Sequence, residues 1–245
     1  MLIRSVLDQI GHRREEVLYG PAVGADCAVL ETAPGEVLLL SSDPITGAVK
    51  GIGGHSIHIT ANDLAAAGAE PVAVLLTLLL PPETTEEEVR RIMYDAENIC
   101  AQLRIEILGG HTEITPVVSQ PVISVTGIGK GAKKDLLKAA NVRPGMDLVV
   151  SKWIGLEAAA ILAQECGEFL RGRVPDEMIA EAASFSKYLS VVPEALAAKK
   201  NGAVLMHDIT EGGVLGALWE VAEAGHTGLE IDQAAIPVRK ETQEI

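Results

Sequence analysis

The chain has 245 residues, 48% of them apolar but only 3% aromatic, and a formal charge of −14. That length suffices for one large domain or two small ones around an aliphatic core. The acidic balance, without a Lys/Arg stripe, argues against nucleic acid or an anionic membrane as partner.

Met1–Ile10 spaces Leu2, Ile3, Val6, Leu7 and Ile10 at helical intervals, and Gly11 ends that helix. It has no apolar signal-peptide core, so the chain reads as cytoplasmic. A loop over Gly20–Asp26 leads to a short strand, Cys27–Leu30. After the Pro34-Gly35 turn, Val37–Ser42 reads as a buried strand closing on Asp43-Pro44. Four glycines in Gly47–Gly54 suggest a mobile loop, followed by a helix over His55–Leu64 that Gly68 terminates.

Val72–Leu80 is the most hydrophobic run, far short of the ~20 residues of a membrane span, and reads as a buried strand. Thr84 or Thr85 starts the clearest helix. Glu86, Glu87 and Glu88 fill its first turn, Thr85 and Glu88 have capping-box spacing, and Val89, Ile92, Met93, Ala96, Ile99, Cys100 and Leu103 mark the buried face.

Ile105–Leu108 and Pro121–Ile128 read as strands flanking a Gly-Gly-His-Thr-Glu loop at Gly109–Glu113. Beyond a boundary near Arg143-Pro144-Gly145, strands are expected at Leu148–Ser151 and Ala203–His207. Helices are expected at Leu156–Gln164, Asp176–Ser190, Val192–Lys200 and Gly212–Ala224. Short neighbouring strands require some antiparallel pairing, so the fold class is α/β to α+β with mixed sheets. Ile236–Ile245 looks like the start of a further element, so the second half is expected to be incomplete. The cysteines Cys27, Cys100 and Cys166 lack Cys-x-x-Cys spacing and read as reduced thiols.

Carboxylates recur at the edges of apolar segments, where ligands bind: Gly24-Ala25-Asp26, Ser41-Ser42-Asp43, Asn62-Asp63, Gly109–Glu113 and Asp208–Gly213. Singly, most have an ordinary reading as a turn, a strand end or a helix cap. Together, acids with glycine loops suit a hard divalent cation carrying a polyphosphate. The six histidines show no zinc spacing, and neither a Walker loop nor a dinucleotide fingerprint is present.

The succession GADCAVL (24–30), SSD (41–43), ANDLAAAGAEP (61–71), LLTLLLPP (75–82), GGHTE (109–113) and DITEGG (208–213) resembles the AIR synthase superfamily. That superfamily includes HypE, thiamine-monophosphate kinase, selenophosphate synthetase and formylglycinamidine synthase. The resemblance implies a homodimer of two-domain subunits, here 1–135 and 136–245, using ATP and Mg2+ to phosphorylate an amide-type oxygen or similar acceptor. That acceptor would be a small molecule or protein-borne. It also implies metal binding by Asp26, Asp43 and Asp63. Nucleotide contacts would come from Gly24, Asn62, Gly109, Gly110, Thr112, Asp208, Thr210, Glu211, Gly212 and Gly213. Glu113 and His111 are the candidates for a general base. Alternatives are a thiamine-monophosphate-kinase-like enzyme and a non-catalytic nucleotide-binding or assembly protein. The sequence departs from the pattern at Ala25, where many relatives carry a second acid, and at His111, where many carry Asp or Glu. It also lacks HypE's C-terminal cysteine and its glycine-rich N-terminal substrate loop.

Overall fold

The computed structural model describes residues 15–19, 25, 27–47 and 50–245. The helix expected over Met1–Ile10 and most of the Gly20–Asp26 loop lie outside the described residues. In the first half, strands β1 (Val17–Tyr19), β2 (Ala28–Ala33) and β3 (Glu36–Ile45) precede helix α1 (Ile52–Ala66). Strand β4 (Glu70–Leu80), helix α2 (Glu86–Leu103), and strands β5 (Glu106–Ile114) and β6 (Val122–Ala132) follow. The strands form one six-stranded sheet in the order β1-β2-β3-β6-β4-β5, with β4–β5 parallel and every other pair antiparallel. This is the mixed pairing expected, gathered in a single sheet.

Alternation sets which way each strand faces. Val74, Leu76, Leu78 and Leu80 of β4, with Ile123 and Val125 of β6, point to the helices and are buried. Leu75, Thr77 and Leu79 point the other way and are partly or fully exposed. The apolar run of β4 therefore covers both faces, although only one is packed among the described residues.

Helix α2 forms as its sequence predicts. Thr85 and Glu88 make the reciprocal capping box, and Ile92, Ala96 and Cys100 are buried, with Val89, Met93, Ile99 and Leu103 packed beside them. Helix α1 differs in kind. Fourteen of its 15 residues are buried, the signature of a helix enclosed on all sides. It lies against β3, β6 and β4 on one side and α2 on another. The glycine-rich segment expected to be a loop is therefore partly helix: Gly53 and Gly54 occupy the first turn of α1, where the backbone of α2 passes too close for a side chain. A Cβ on Gly53 would stand 2.0 Å from the Ile92 carbonyl oxygen.

The second half is helical: α3 (Leu156–Glu165), α4 (Gly167–Leu170), α5 (Asp176–Ala183), α6 (Val192–Lys200), α7 (Gly213–Gly225) and α8 (Lys240–Glu244). Leu156, Ala159, Ala160, Ala163, Ala182 and Phe185 form its own small core. The strands expected at Leu148–Ser151 and Ala203–His207 have no ladder partner among the described residues, and Val149 is 84% exposed. Both have strand-like composition, but a strand exists only where a neighbour takes its backbone hydrogen bonds. No helix among the described residues is long and apolar enough to cross a membrane.

The approach of α1 to α2 gives a direct test. Gly53→Ala should destabilise the fold by about 3 kcal/mol, the upper end for overpacking, because the obstacle is backbone. Urea unfolding of the two proteins measures the difference.

Candidate functional site

Three carboxylates from three separate segments converge where the sheet, α1 and the second half meet. Asp43 comes from the end of β3, Asp63 from the last turn of α1, and Asp208 from the segment entering α7. Ser41, one alternation before Asp43 and on the same face, donates its hydroxyl to Asp63 Oδ2 at 2.5 Å and to Asp43 Oδ2 at 2.9 Å. Asp63 and Asp208 are buried, only 8% and 7% exposed. Asp208 Oδ2 has no hydrogen-bond partner.

The electrostatics are unfavourable as they stand. Burial, then a hydrogen bond that protonated Asp63 donates to Asp43 and the charge of Asp208, push the Asp63 carboxyl up to about 10, against a smaller opposing effect of Ser41. Asp63 also sits at the negative end of the helix dipole, where a second anionic charge is disfavoured. A helix cap does not explain it, since α1 begins eleven residues earlier at Ile52.

An arrangement of hard oxygens with an orphaned buried carboxylate oxygen fits a divalent cation. Among the described residues no group of three or more His, Cys, Asp or Glu is gathered closely enough to hold a metal ion unaided. Mg2+ suits such a site, because it is commonly held by one or two carboxylates, with waters and phosphate oxygens completing the shell. Asp26 and Gly24, expected here from sequence, lie outside the described residues.

The remaining predicted residues divide into three groups. Thr210, Glu211, Gly212 and Gly213 follow Asp208 directly. Gly212 and Gly213 take positive φ of 84° and 60°, and α7 starts there without a side-chain cap, the Gly213 N–H donating to Thr210 O at 3.1 Å. Asn62 is buried, and its amide is engaged with the second half: Nδ2 donates to Leu189 O at 2.9 Å, and Oδ1 accepts from Val191 N at 2.8 Å.

Gly109, Gly110, His111, Thr112 and Glu113 form strand, not loop. They are the exposed middle of edge strand β5. The glycines lend themselves to a loop reading because both take positive φ, 143° and 146°, beside a bulge where Leu75 pairs with Gly109 and leaves Leu108 out. Across the sheet, Asp43 pairs with Val125, Val125 with Leu76, and Leu76 with Gly110. Three strand spacings put Gly110 about 14 Å from Asp43. His111 and Glu113 pair with Thr77 and Leu79, on the face away from the helices. Within one chain the acids of β3 and α1 and the side chains of β5 do not meet.

Sequence reasoning missed the buried polar residues around α1. His55 Nε2 lies 2.7 Å from Glu157 Oε1. His58 is buried with Nδ1 unpartnered, and burial, helped by the charges of His55 and Lys152, pushes it down to about 4. Lys152 pairs with Glu194 at 2.8 Å. The pair His55 and His58, which from sequence reads as part of a helix start, was the available signal.

Residues 24–130 match the model of the AIR synthase related protein N-terminal domain, and residues 143–245 match that of its C-terminal domain. The chain belongs to the AIR synthase related family. It is 29% identical over 195 residues to a putative hydrogenase expression/formation protein of Methanocaldococcus jannaschii, covering 79% of this chain and 56% of that protein. To the carbamoyl dehydratase HypE of Cupriavidus necator it is 27% identical over 189 residues, 76% of this chain and 52% of the relative. The chain thus spans little more than half the length of these relatives. In fold it resembles AaThiL complexed with AMPPCP and TMP, with TM-score 0.77 and 20% identity, over 98% of this chain and 73% of that one.

The carboxylates give a pH-dependent prediction for the metal-free protein. Asp63 titrates near 10 when folded and near its ordinary value of 3.8 when unfolded. Between those limits the folded state holds the extra proton, so stability falls as pH rises from about 4 toward 10. Thermal melts should show this slope, flattened by Asp63→Asn and by added Mg2+. A slope unchanged in Asp63→Asn would remove Asp63 as its source.

Proposed function

We propose that this AIR synthase related chain binds ATP with Mg2+ and transfers a phosphoryl group to an amide-type oxygen or a similar small acceptor. The observation that carries this reading is the convergence of Asp43, Asp63 and Asp208 from three separate segments beside the open N-terminus of α7. Similarity to a carbamoyl dehydratase and to a protein complexed with AMPPCP and TMP supports it. Phosphoryl transfer rests mainly on positioning and charge neutralisation. Asp43 and Asp63, with Asp26 as a further candidate, would hold Mg2+, which supplies the charge that offsets the phosphates. Main-chain N–H groups near Gly212, at the uncapped start of α7, would take phosphate oxygens. The resemblance to AaThiL favours the second reading, a thiamine-monophosphate-kinase-like activity that shares the site and differs in acceptor.

We also propose that the chain works as a homodimer. The sheet face carrying Leu75, Thr77 and Leu79 has no covering layer within the described chain, and Leu75 is exposed. Exposed apolar faces of this kind mark association surfaces. Light scattering should give twice the chain mass, and a concentration-independent monomer would end that proposal.

Calorimetry tests the nucleotide site. ATP should bind well only with Mg2+, because phosphates otherwise meet uncompensated carboxylates. Asp63→Asn should stay folded and lose more than about tenfold in Mg-ATP affinity, ~1.4 kcal/mol. Glu97→Gln, on the exposed face of α2, is the control and should change nothing. Full affinity in folded Asp63→Asn would mean that Asp63 is no ligand. ATP consumption in a metabolite screen, set against binding without turnover, separates an enzyme from a non-catalytic binding protein.

A further inference from the structure

We propose that Asn62 is a positioning residue: its amide fastens the second half of the chain onto α1 and so brings Asp208 toward Asp63. The proposal rests on the reading of Asp63 and Asp208 as parts of one metal–nucleotide site.

Asn62 is 6% exposed, and it spends a donor and an acceptor on one short stretch of backbone, Leu189 to Val191. That stretch leads directly into α6, whose Val192 and Ala195 are buried in the core that α1 shares with the sheet. The far end of α6 is held as well, by Lys199 Nζ donating to Gly68 O at 2.5 Å just beyond α1. Helix α6 is therefore pinned to α1 at both ends.

From there the chain turns at Asn201-Gly202 and returns through Met206, which packs on the same core, to His207 and Asp208. His207 Nδ1 lies 2.6 Å from the Asp208 carbonyl, and its Nε2 lies 2.7 Å from Glu220 of α7. The route from Asn62 to Asp208 is thus a continuous series of packed and hydrogen-bonded elements. Asp63, the next residue of α1, receives the carboxylate that this route delivers.

Residue chemistry explains why the position is an amide. Leu189 O requires a donor and Val191 N–H an acceptor, and a carboxamide offers both from one planar group. An aspartate would lose the donor and add a further carboxylate beside Asp63. A buried amide satisfied in this way has little left to offer a nucleotide, so its effect on the site runs through Asp208.

Two measurements test the proposal. Hydrogen exchange on metal-free protein compares the parent with Asn62→Ala. Protection should fall at least tenfold at Leu189–Val191 and across 201–213, with β6 unchanged. Retained protection in those segments, or an equal loss throughout the sheet, would overturn the proposal. Mn2+ binding, followed by electron paramagnetic resonance, then supplies a double-mutant cycle with Asp208→Asn. Asn62→Ala should weaken Mn2+ about tenfold in the parent and less than twofold in Asp208→Asn. An equal loss in both backgrounds would make Asn62 a ligand in its own right and overturn the positioning role. If the parent binds no Mn2+, the metal reading fails, and exchange alone still decides the fastening. Should Asn62→Ala not fold, Asn62→Asp keeps the acceptor for Val191. With the donor to Leu189 O gone, protection should fall across 201–213, and full protection there would overturn the proposal.

Discussion

The structure depends on one constraint: helix α1 is buried all round, yet carries polar side chains at His55, Ser56, His58, Thr60, Asn62 and Asp63. Each buried polar group without a partner costs about 1–3 kcal/mol, so the neighbours of such a helix must supply partners. Ser56 turns back to the Gly53 carbonyl, His55 meets Glu157, and Asn62 meets the backbone at Leu189 and Val191. Two of these three contacts come from the second half of the chain. The need to satisfy α1 therefore joins the two halves and locates their common boundary. His58 Nδ1 and Thr60 Oγ1 remain the exceptions, without partners.

Asp63 belongs to the same helix but is not satisfied in the same way. Ser41 supplies one hydrogen bond, and the other nearby groups are acids. A proton is the available remedy in the metal-free protein, which is what a carboxyl titrating near 10 means. A divalent cation is the alternative remedy, and the two compete for the same oxygens. Cation binding at neutral pH must then expel a proton, coupling metal affinity to pH. On the proposed reading, the residues that make the site costly when empty are those that would favour a doubly charged ion.

Much of the fold was legible because local chemistry and tertiary need agreed. The Thr85–Glu88 box, the apolar stripe of α2 and the Pro193 start of α6 need no distant residue to be read. The carboxylates Asp43, Asp63 and Asp208 were likewise marked by their places at element ends. What escaped depended on neighbours. Gly53 looks like a loop residue in sequence, and only the closeness of the Ile92 carbonyl explains its place in a helix. Leu148–Ser151 and Ala203–His207 have strand composition but no ladder among the described residues. Asn62 stands beside Asp63 and was grouped with it. The difference between ligand and fastener lies in a carbonyl and an N–H well over a hundred residues away.

The Gly109–Glu113 strand shows how one motif can serve geometry in place of chemistry. Paired glycines at positive φ and the unpaired Leu108 twist β5 at a bulge inside its ladder with β4. A Cβ at Gly110 would stand 1.7 Å from the Leu76 carbonyl oxygen, so the close pairing itself demands glycine there. The bulge and the charges of Glu106 and Glu113 make this edge a poor template for another strand. The face behind it is different, since Leu75, Thr77 and Leu79 form a patch without like charges. With a chain charge of −14, two copies would meet at lower electrostatic cost over these uncharged residues than along the acidic edge. Self-association of this chain is therefore better served by the open face of the sheet than by its edge, and His111 and Glu113 would border that contact.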